Sequence, residues 1–334
     1  MRHHREDRAP MRHHREDAAT DPEPSVRRAL RRPADADPAR GAFSHNTERA
    51  RRADLDVFRA WCAERDACAM PARPELVAAF VDAMTDSRAP ATVRRYVTSI
   101  AAAHRAADAA DPATNARVKY ALKRMHRRRG SQQQQAHGLT WPLRQQLLKA
   151  AGKRLIDARN RALVAVAYDS MLRRSELAGA RVADLARDPS GGATLLVRRS
   201  KTDPHGRTAT VYLARDTLSI VAEWLRRAGV SDGHLFRSVT KGGKVGTRLP
   251  PSQIPRIFKA MARAAGLDDE VVAALSGHSA RVGATQDMIA AGVELPAILH
   301  AGRWKTATMV TRYGERLLAH RSGAAQLARR QGRE

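Results

Sequence analysis

Apolar residues recur every three or four positions in three stretches early in the chain, at 55–62, 76–84 and 93–100. The first stretch places four of them on one face: Leu55, Phe58, Trp61 and Cys62. This spacing predicts short amphipathic helices. Pro74 begins the second helix, because a proline suits the first turn, where its missing N–H has no partner to lose. The pattern predicts a compact helical domain over residues 42–129.

The next segment, 130–138, has the sequence GSQQQQAHG and contains no large apolar residue. It breaks the helical periodicity on both sides, and its glycines and glutamines are typical of a flexible connection. We therefore predict a linker between two domains.

Helical periodicity returns after this linker. Thr140 is suited to cap the first helix of the second domain, and residues 158–168 predict a buried helix. Residues 194–213 predict two strands joined by the turn KTDPHGR, and helices follow to the end of the chain. The predicted fold class is mainly α with a small antiparallel β-sheet, and residues 139–334 form the second domain.

Residues 1–41 differ in composition from the rest of the chain. They contain the heptapeptide MRHHRED twice, followed by proline, aspartate and arginine with few large apolar residues. Such a composition cannot bury enough apolar surface to fold. We predict a disordered basic tail, and its histidines do not form a convincing metal site.

The charge balance indicates what the protein binds. Lys and Arg number 60 against 34 Asp and Glu, which gives a formal net charge of +26 and an isoelectric point near 11.4. A chain with this excess favours a polyanionic partner, of which nucleic acid is the simplest, although anionic membranes also attract basic proteins. Charge alone names no activity.

Other features bear on the compartment. No apolar run approaches the ~20 residues of a membrane span, and the N-terminus lacks the apolar core of a signal peptide. The two cysteines, Cys62 and Cys68, have neither metal-ligand spacing nor a second pair for a disulfide framework. We expect a cytoplasmic, nucleoid-associated protein of bacterial or phage origin.

Four segments carry candidate chemistry: MLRRSEL (171–177), RSKTD (199–203), GHSARVG (277–283) and AGRWKTATMVTRY (301–313). Each is weak alone, because ion pairs on helices and H-x-x-R patterns are common in basic proteins. Their order and spacing suit metal-free cleavage of a phosphodiester, which needs a nucleophile, cations to neutralise the developing charge and an acid for the leaving oxygen.

Two arginines are the candidate cations. Arg173 and Arg281 can each direct two N–H donors at phosphate oxygens, a geometry that lysine lacks. Glu176, one turn from Arg173, can hold that guanidinium still, although it also suits a purely structural role. His278 stands one turn before Arg281, and the spacing predicts that both project from one helix face.

The remaining groups complete the reaction. The indole N–H of Trp304 is an uncharged donor, and Lys201 at a hairpin tip can pass a proton to the departing oxygen. Tyr313 is the candidate nucleophile. Because a phenol has a pKa of about 10, cations and a base such as His278 must assist it. Taken singly, Trp304 also suits a core aromatic and Tyr313 a surface phenol.

Taken together, these motifs resemble the tyrosine recombinase (phage integrase) family. The motifs are L-R-x-S-E-L, the lysine hairpin, H-x-x-R, and G-x-W followed nine residues later by tyrosine. The resemblance covers about residues 43–330. The chain departs from most members at Trp304, where they carry a second histidine. This departure restricts the resemblance to members that have tryptophan at that position.

The resemblance implies a two-domain architecture, with an N-terminal helical core-binding domain and a C-terminal catalytic domain that clamp double-stranded DNA. It further implies a 3′-phosphotyrosine intermediate, strand exchange through a Holliday junction, and a homotetramer on two inverted-repeat sites. The stretch Ser322–Ala328 resembles the terminal helix exchanged between protomers. No metal, nucleotide or other cofactor is implied, and no accessory protein is expected.

The resemblance also suggests DNA-binding positions. Arg94 and Arg95 correspond approximately to a base-reading helix, and Arg256 is a second candidate. Lys241 and Lys244 resemble phosphate-contacting hairpin lysines. At each position a generic solvated or phosphate-facing charge is an equal alternative.

The sequence leaves two other functions open. One is a DNA-binding repressor or architectural protein that keeps the clamp and has lost cleavage. The other is a type IB topoisomerase, which shares the chemistry and relaxes DNA without exchange.

Overall fold

The computed structural model describes residues 43–130, 134–189, 191–198 and 208–333. The chain divides into two compact units, Met1–Gln133 and Gln134–Glu334. The predicted tail and Lys201 lie outside the described residues. Within these described ranges, no helix is long and apolar enough to cross a membrane.

The described part of the first unit is helical, which confirms the predicted helices. It consists of α1 (His45–Ala63), α2 (Pro74–Met84), α3 (Pro90–Ala106) and α4 (Ala116–Arg129), with a short 3-10 helix at Pro112–Thr114. Ser44 caps α1 by accepting from the backbone N–H of Thr47 at 3.3 Å. The apolar stripes meet in one core, centred on Phe80, whose ring lies edge-on to the ring of Phe58 at 5.0 Å.

The described part of the second unit contains ten α-helices, a short 3-10 helix at Val182–Asp184 and one sheet. The helices are α5 (Trp141–Ala150), α6 (Leu155–Ser170), α7 (Arg174–Gly179), α8 (Arg215–Ala228), α9 (Gln253–Ala264), α10 (Asp269–Ala274), α11 (Ser279–Ala290), α12 (Leu295–Gly302), α13 (Thr308–Ala319) and α14 (Gly323–Arg330). Helix α6 is buried along most of its length and packs against α8 and α11. It forms the centre of this unit.

The sheet has three antiparallel strands in the order β1 (Leu185–Arg187), β2 (Ala193–Val197) and β3 (Ala209–Leu213). Strands β2 and β3 are the two that the sequence predicts, with Thr194 opposite Tyr212. Strand β1 was not predicted, because its three residues are too few to show alternation. The fold class, mainly α with a small antiparallel sheet, is confirmed.

The end of the predicted linker is fixed to the second unit. The backbone N–H of His137 donates to Ala274 at 3.0 Å, and that of Leu139 donates to Ser279 at 2.8 Å. A Cβ atom at Gly283 on α11 would overlap the backbone of Leu139. Glycine is therefore required for this close approach, and the segment before α5 runs along the helix that carries Arg281.

Candidate active site

The first arginine of the site stands at a sharp turn after α6. Met171 adopts a left-handed conformation, with φ 49° and ψ 31°, and ends the helix. Met171 and Leu172 are buried in the core, whereas Arg173 is the N-cap of α7. Two apolar anchors thus fix the backbone from which Arg173 projects.

Glu176 binds Arg173 as its spacing predicts. Its carboxylate accepts from the backbone N–H of Arg173 at 2.8 Å and from Nη1 of the same residue at 2.9 Å. Only 3% of its side chain is exposed. Burial alone would raise the pKa of Glu176, but the charge of Arg303 and the hydrogen bonds from Arg173 outweigh burial and hold the pKa below its ordinary value.

Arg303 is a residue that sequence reasoning missed. It follows α12 in a left-handed conformation with φ 52°, and its Nη2 donates to Oε2 of Glu176. Glu176 therefore bridges two guanidiniums, those of Arg173 and Arg303. Nothing in the pattern G-x-W indicates that the middle side chain turns toward the site.

Arg281 is almost completely buried, with 3% of its surface exposed. Its Nη1 donates to the carbonyl of Met171, and its Nη2 donates to the carbonyl of Gly302 at 2.8 Å. Burial, followed by the charges of Arg173 and Arg303, lowers the pKa of Arg281 to about 10. The Arg281 guanidinium thus links Met171, which lies just before α7, to Gly302, the last residue of α12.

His278 differs from the prediction in one respect. It is the N-cap of α11 and its side chain is exposed, whereas Arg281 lies buried in the first turn. The two residues were predicted to project from one helix face. The structure places His278 just before the helix, because Ser276 and the glycine at 277 form a tight turn there.

Trp304 lies between Arg281 and Tyr313. The Arg281 Cζ atom lies 4.9 Å from the centroid of the indole ring. The phenol ring of Tyr313, on α13, packs edge-on to the indole with centroids 5.8 Å apart. A Cβ atom at Gly302 would overlap the indole, so glycine is required in G-x-W. Candidate nucleophile, uncharged donor and cation therefore form one contiguous stack.

Two glutamines contact the backbone of Tyr313. Nε2 of Gln286 on α11 and Nε2 of Gln135 each lie 3.2 Å from the Tyr313 carbonyl oxygen, to which they donate. Sequence reasoning missed both, because they are separated from Tyr313 by 27 and 178 positions. Among the described residues, no group of three His, Cys, Asp or Glu side chains is placed to hold a metal ion.

The predicted DNA-contacting residues lie on the surface. Arg94, Arg256, Lys241 and Lys244 are exposed, and the two lysines occupy the tip of a turn closed by a bridge between residues 239 and 245.

Arg95 has a partner within the protein that the sequence pattern does not indicate. It forms a bidentate ion pair with Asp54 of α1, with an Nη2–Oδ1 distance of 2.7 Å and an Nε–Oδ2 distance of 2.9 Å. Hydrogen bonding to this carboxylate raises the pKa of Arg95.

Comparison with known proteins decides the family. Residues 143–319, more than half of the chain, match the model of the phage integrase family. The chain belongs to this family. It is a tyrosine recombinase, an enzyme class that breaks and rejoins DNA. The chain is 29% identical to the recombinase Cre of Escherichia phage P1 over 291 residues, which cover 82% of this chain and 85% of Cre.

Other relatives extend the comparison. The recombinase is 28% identical to an integrase/recombinase XerD homolog of Selenomonas ruminantium, over 81% of each chain. Among solved structures, the Tn1549 transposon integrase in complex with transposon right end DNA gives a TM-score of 0.59 at 14% identity, covering 89% of this chain and 98% of that one. A lambda integrase tetramer bound to a Holliday junction gives 0.56 at 17% identity, covering 86% and 74%. These structures share the fold.

Proposed function

We propose that this recombinase exchanges DNA strands at a dedicated target site, with Tyr313 as the nucleophile. The observation that carries the proposal is the stack in which the phenol of Tyr313 packs on Trp304 and Trp304 covers Arg281. A nucleophile, an uncharged donor and a cation are thereby held together, as an anionic pentacoordinate transition state requires.

The proposed step is a transesterification at phosphorus. The Tyr313 oxygen attacks phosphorus, the bond from phosphorus to the 5′ oxygen breaks, and a 3′-phosphotyrosine forms. The phenol proton passes to His278, and Lys201 gives a proton to the departing 5′ oxygen. Arg173 and Arg281 neutralise the charge that develops on the phosphate. The resealing step reverses these transfers with the 5′ hydroxyl of the partner strand.

The environment of Arg281 supports this role. A guanidinium has five N–H donors, and the carbonyls of Met171 and Gly302 accept from two different nitrogens of Arg281. These bonds fix the plane of the group while leaving further N–H groups for phosphate oxygens. A cation held in place before the reaction costs no reorganisation when the transition state forms.

The assembly is proposed from relatives. Cre is named a recombinase, and the lambda integrase structure is a tetramer on a Holliday junction. We infer that this chain acts in the same way, as a homotetramer that clamps two inverted-repeat sites with its two domains and exchanges strands through such a junction. Arg94, Arg256, Lys241 and Lys244 are proposed DNA contacts. No cofactor is invoked, because the phosphotyrosine link conserves the energy of the cut bond.

The test uses a supercoiled plasmid that carries two copies of the target site. The site consists of inverted repeats of about a dozen base pairs each, taken from the DNA that flanks the coding region of this protein. We expect excised circles and a covalent adduct whose tryptic peptide carries a nucleotide on Tyr313. Tyr313→Phe is the matched control, because it keeps the ring that packs on Trp304.

Other outcomes identify the alternatives. Binding without an adduct would contradict the proposal and favour a repressor or architectural protein. Relaxation of a plasmid that lacks paired sites, without exchange, would favour topoisomerase activity.

A further inference from the structure

Arg303 occupies a backbone conformation that a residue with a side chain seldom adopts. Its φ of 52° lies in the left-handed region, where the Cβ atom crowds the following carbonyl oxygen. Glycine would take this conformation without that cost. Unfavourable backbone geometry of this kind is retained mainly where the side chain has a functional role.

Burial of the Arg303 side chain is also unfavourable in free energy. It is 11% exposed, and its Nε and Nη1 atoms are buried without a hydrogen-bond partner among the described residues. Burying unpaired N–H groups of a cation is unfavourable. Among the described residues, the side-chain hydrogen bond that offsets this cost is the one from Nη2 to Glu176.

Glu176 connects Arg303 to the chemistry. Its carboxylate, 3% exposed, binds the guanidinium of Arg173 through Oε1 and that of Arg303 through Oε2, which also accepts from the backbone N–H of Arg173. Without a second cation, its full negative charge would act on Arg173 alone. The attraction of Arg173 for an incoming phosphate would then be weaker, because opposite charges interact strongly where water is excluded.

We propose that Arg303 is a positioning residue whose guanidinium balances the charge of Glu176, so that Glu176 orients Arg173 without weakening its hold on the scissile phosphate. The inference rests on the proposed function of the Arg173 and Tyr313 site. Arg303 acts through Glu176, because its remaining buried nitrogens face no described acceptor. Its charge also reaches Arg281 and contributes to that residue's lowered pKa.

The experiment compares Arg303→Gly and Arg303→Lys with the wild-type recombinase. Three quantities are measured: the melting temperature, the Kd for a duplex carrying one inverted repeat, and the single-turnover rate of covalent cleavage at saturating protein. For Arg303→Gly we expect a melting temperature that changes little, because loss of the ion pair with Glu176 is offset by relief of the left-handed backbone and of the two unpaired buried N–H groups. We also expect a Kd within about twofold of the wild-type value. We expect cleavage to be slower by about 10- to 100-fold, as for loss of a charge near the transition state.

Arg303→Lys keeps the charge and loses the planar fork, so its cleavage rate is expected between those of Arg303→Gly and the wild type. The matched control is Asp108→Gly, which relieves a left-handed residue with φ 54° in the first unit. This control should leave the cleavage rate unchanged.

A double variant separates charge balance from simple support. In the Arg303→Gly background, Glu176→Gln removes the unbalanced carboxylate charge and should raise the cleavage rate, whereas the same change in the wild type should lower it. Additive losses would overturn the proposal. The proposal would also be overturned if Arg303→Gly cleaves at the wild-type rate, or if its melting temperature falls together with its cleavage rate.

The proposed function is checked in the same assay. If the wild type forms no adduct and Tyr313→Phe behaves identically, the proposed function fails. If the wild type forms the adduct and the Arg303 variants match it, only the inference about Arg303 fails.

Discussion

The side-chain amide of Gln286 donates a hydrogen bond to the backbone carbonyl of Tyr313, across 3.2 Å. Gln286 stands on α11, the helix that begins next to His278 and carries Arg281. The bond therefore joins the helix of the candidate nucleophile to the helix of a candidate phosphate-binding arginine.

We expect Gln286→Ala to slow cleavage while leaving DNA binding intact. A hydrogen bond of this kind contributes about 1 kcal/mol net, which corresponds to about a fivefold change in rate if it is felt wholly at the reacting group. Single-turnover cleavage against Kd measures the split. Gln146→Ala is the control, because Gln146 donates a hydrogen bond of similar length, 3.3 Å, to the carbonyl of Ala265, a residue that is not part of the candidate site. Equal rates for both variants would contradict the prediction.

Trp304 allows packing and hydrogen bonding to be separated. Trp304→Phe keeps an aromatic ring between Arg281 and Tyr313 but removes the indole N–H, so we expect near-normal stability and cleavage slower by about 100-fold. Trp304→Ala should also destabilise the fold by about 2 kcal/mol, because the partly buried ring is lost. Chemical denaturation and adduct formation give the two values. If Trp304→Phe cleaves normally, Trp304 is a packing residue only.

Gly302 is predicted to be intolerant of a methyl group. The added Cβ of Gly302→Ala would overlap the indole of Trp304, so the ring must shift and its contact with Arg281 is disturbed. Forced overlap of this kind costs roughly 1–3 kcal/mol, and the loss of cleavage should exceed the loss of stability. Gly179→Ala is the control, since a Cβ there meets nothing within 4 Å. Normal cleavage by Gly302→Ala would show that the stack tolerates displacement.

The parts of the molecule that the sequence predicted are those set by local spacing. The helices of the first unit follow from stripes such as Phe58 and Trp61, and the pair of Arg173 and Glu176 follows from one helical turn. Each depends on residues three or four positions apart, whose geometry a helix fixes.

The parts that it missed depend on distant contacts or unusual backbone. Gln135 meets Tyr313 across 178 positions, and Asp54 meets Arg95 across 41. Arg303 turns toward Glu176 because of a left-handed residue that no periodicity reveals. Burial of Arg281 under Trp304 was likewise invisible, since an arginine in a basic chain is expected to be solvated.

Glu176 should make stability depend on pH in the acid range. Its pKa is lowered in the folded state, because the charge of Arg303 and the hydrogen bonds from Arg173 outweigh burial. The stabilisation is therefore full above the ordinary glutamate pKa of about 4.3 and is lost as the pH falls through the folded pKa. Melting curves of wild type and Glu176→Gln should differ at neutral pH and converge on acidification. A difference that stays constant down to acid would contradict this.

Arg95 and Arg94 are adjacent on α3 and are predicted to behave differently. Arg95→Ala leaves the carboxylate of Asp54, which is 1% exposed, with the hydroxyl of Ser99 at 2.8 Å as its one side-chain hydrogen-bond partner in the part of the chain that the structure describes. We expect a loss of about 2 kcal/mol, less than for a fully buried pair because Arg95 is half exposed. Arg94→Ala should change stability by less than about 0.5 kcal/mol and weaken DNA binding instead.

Binding to targets with single base changes completes the comparison. An arginine that reads a guanine relaxes preference at that base when removed, whereas a phosphate contact weakens binding to every sequence equally. The guanidinium of Arg95 is paired with Asp54 in the wild type. Arg95→Ala should therefore leave base preference unchanged while it lowers the melting temperature. If base preference relaxes at one position instead, the ion pair must open on DNA, and Arg95 is then a base-reading residue.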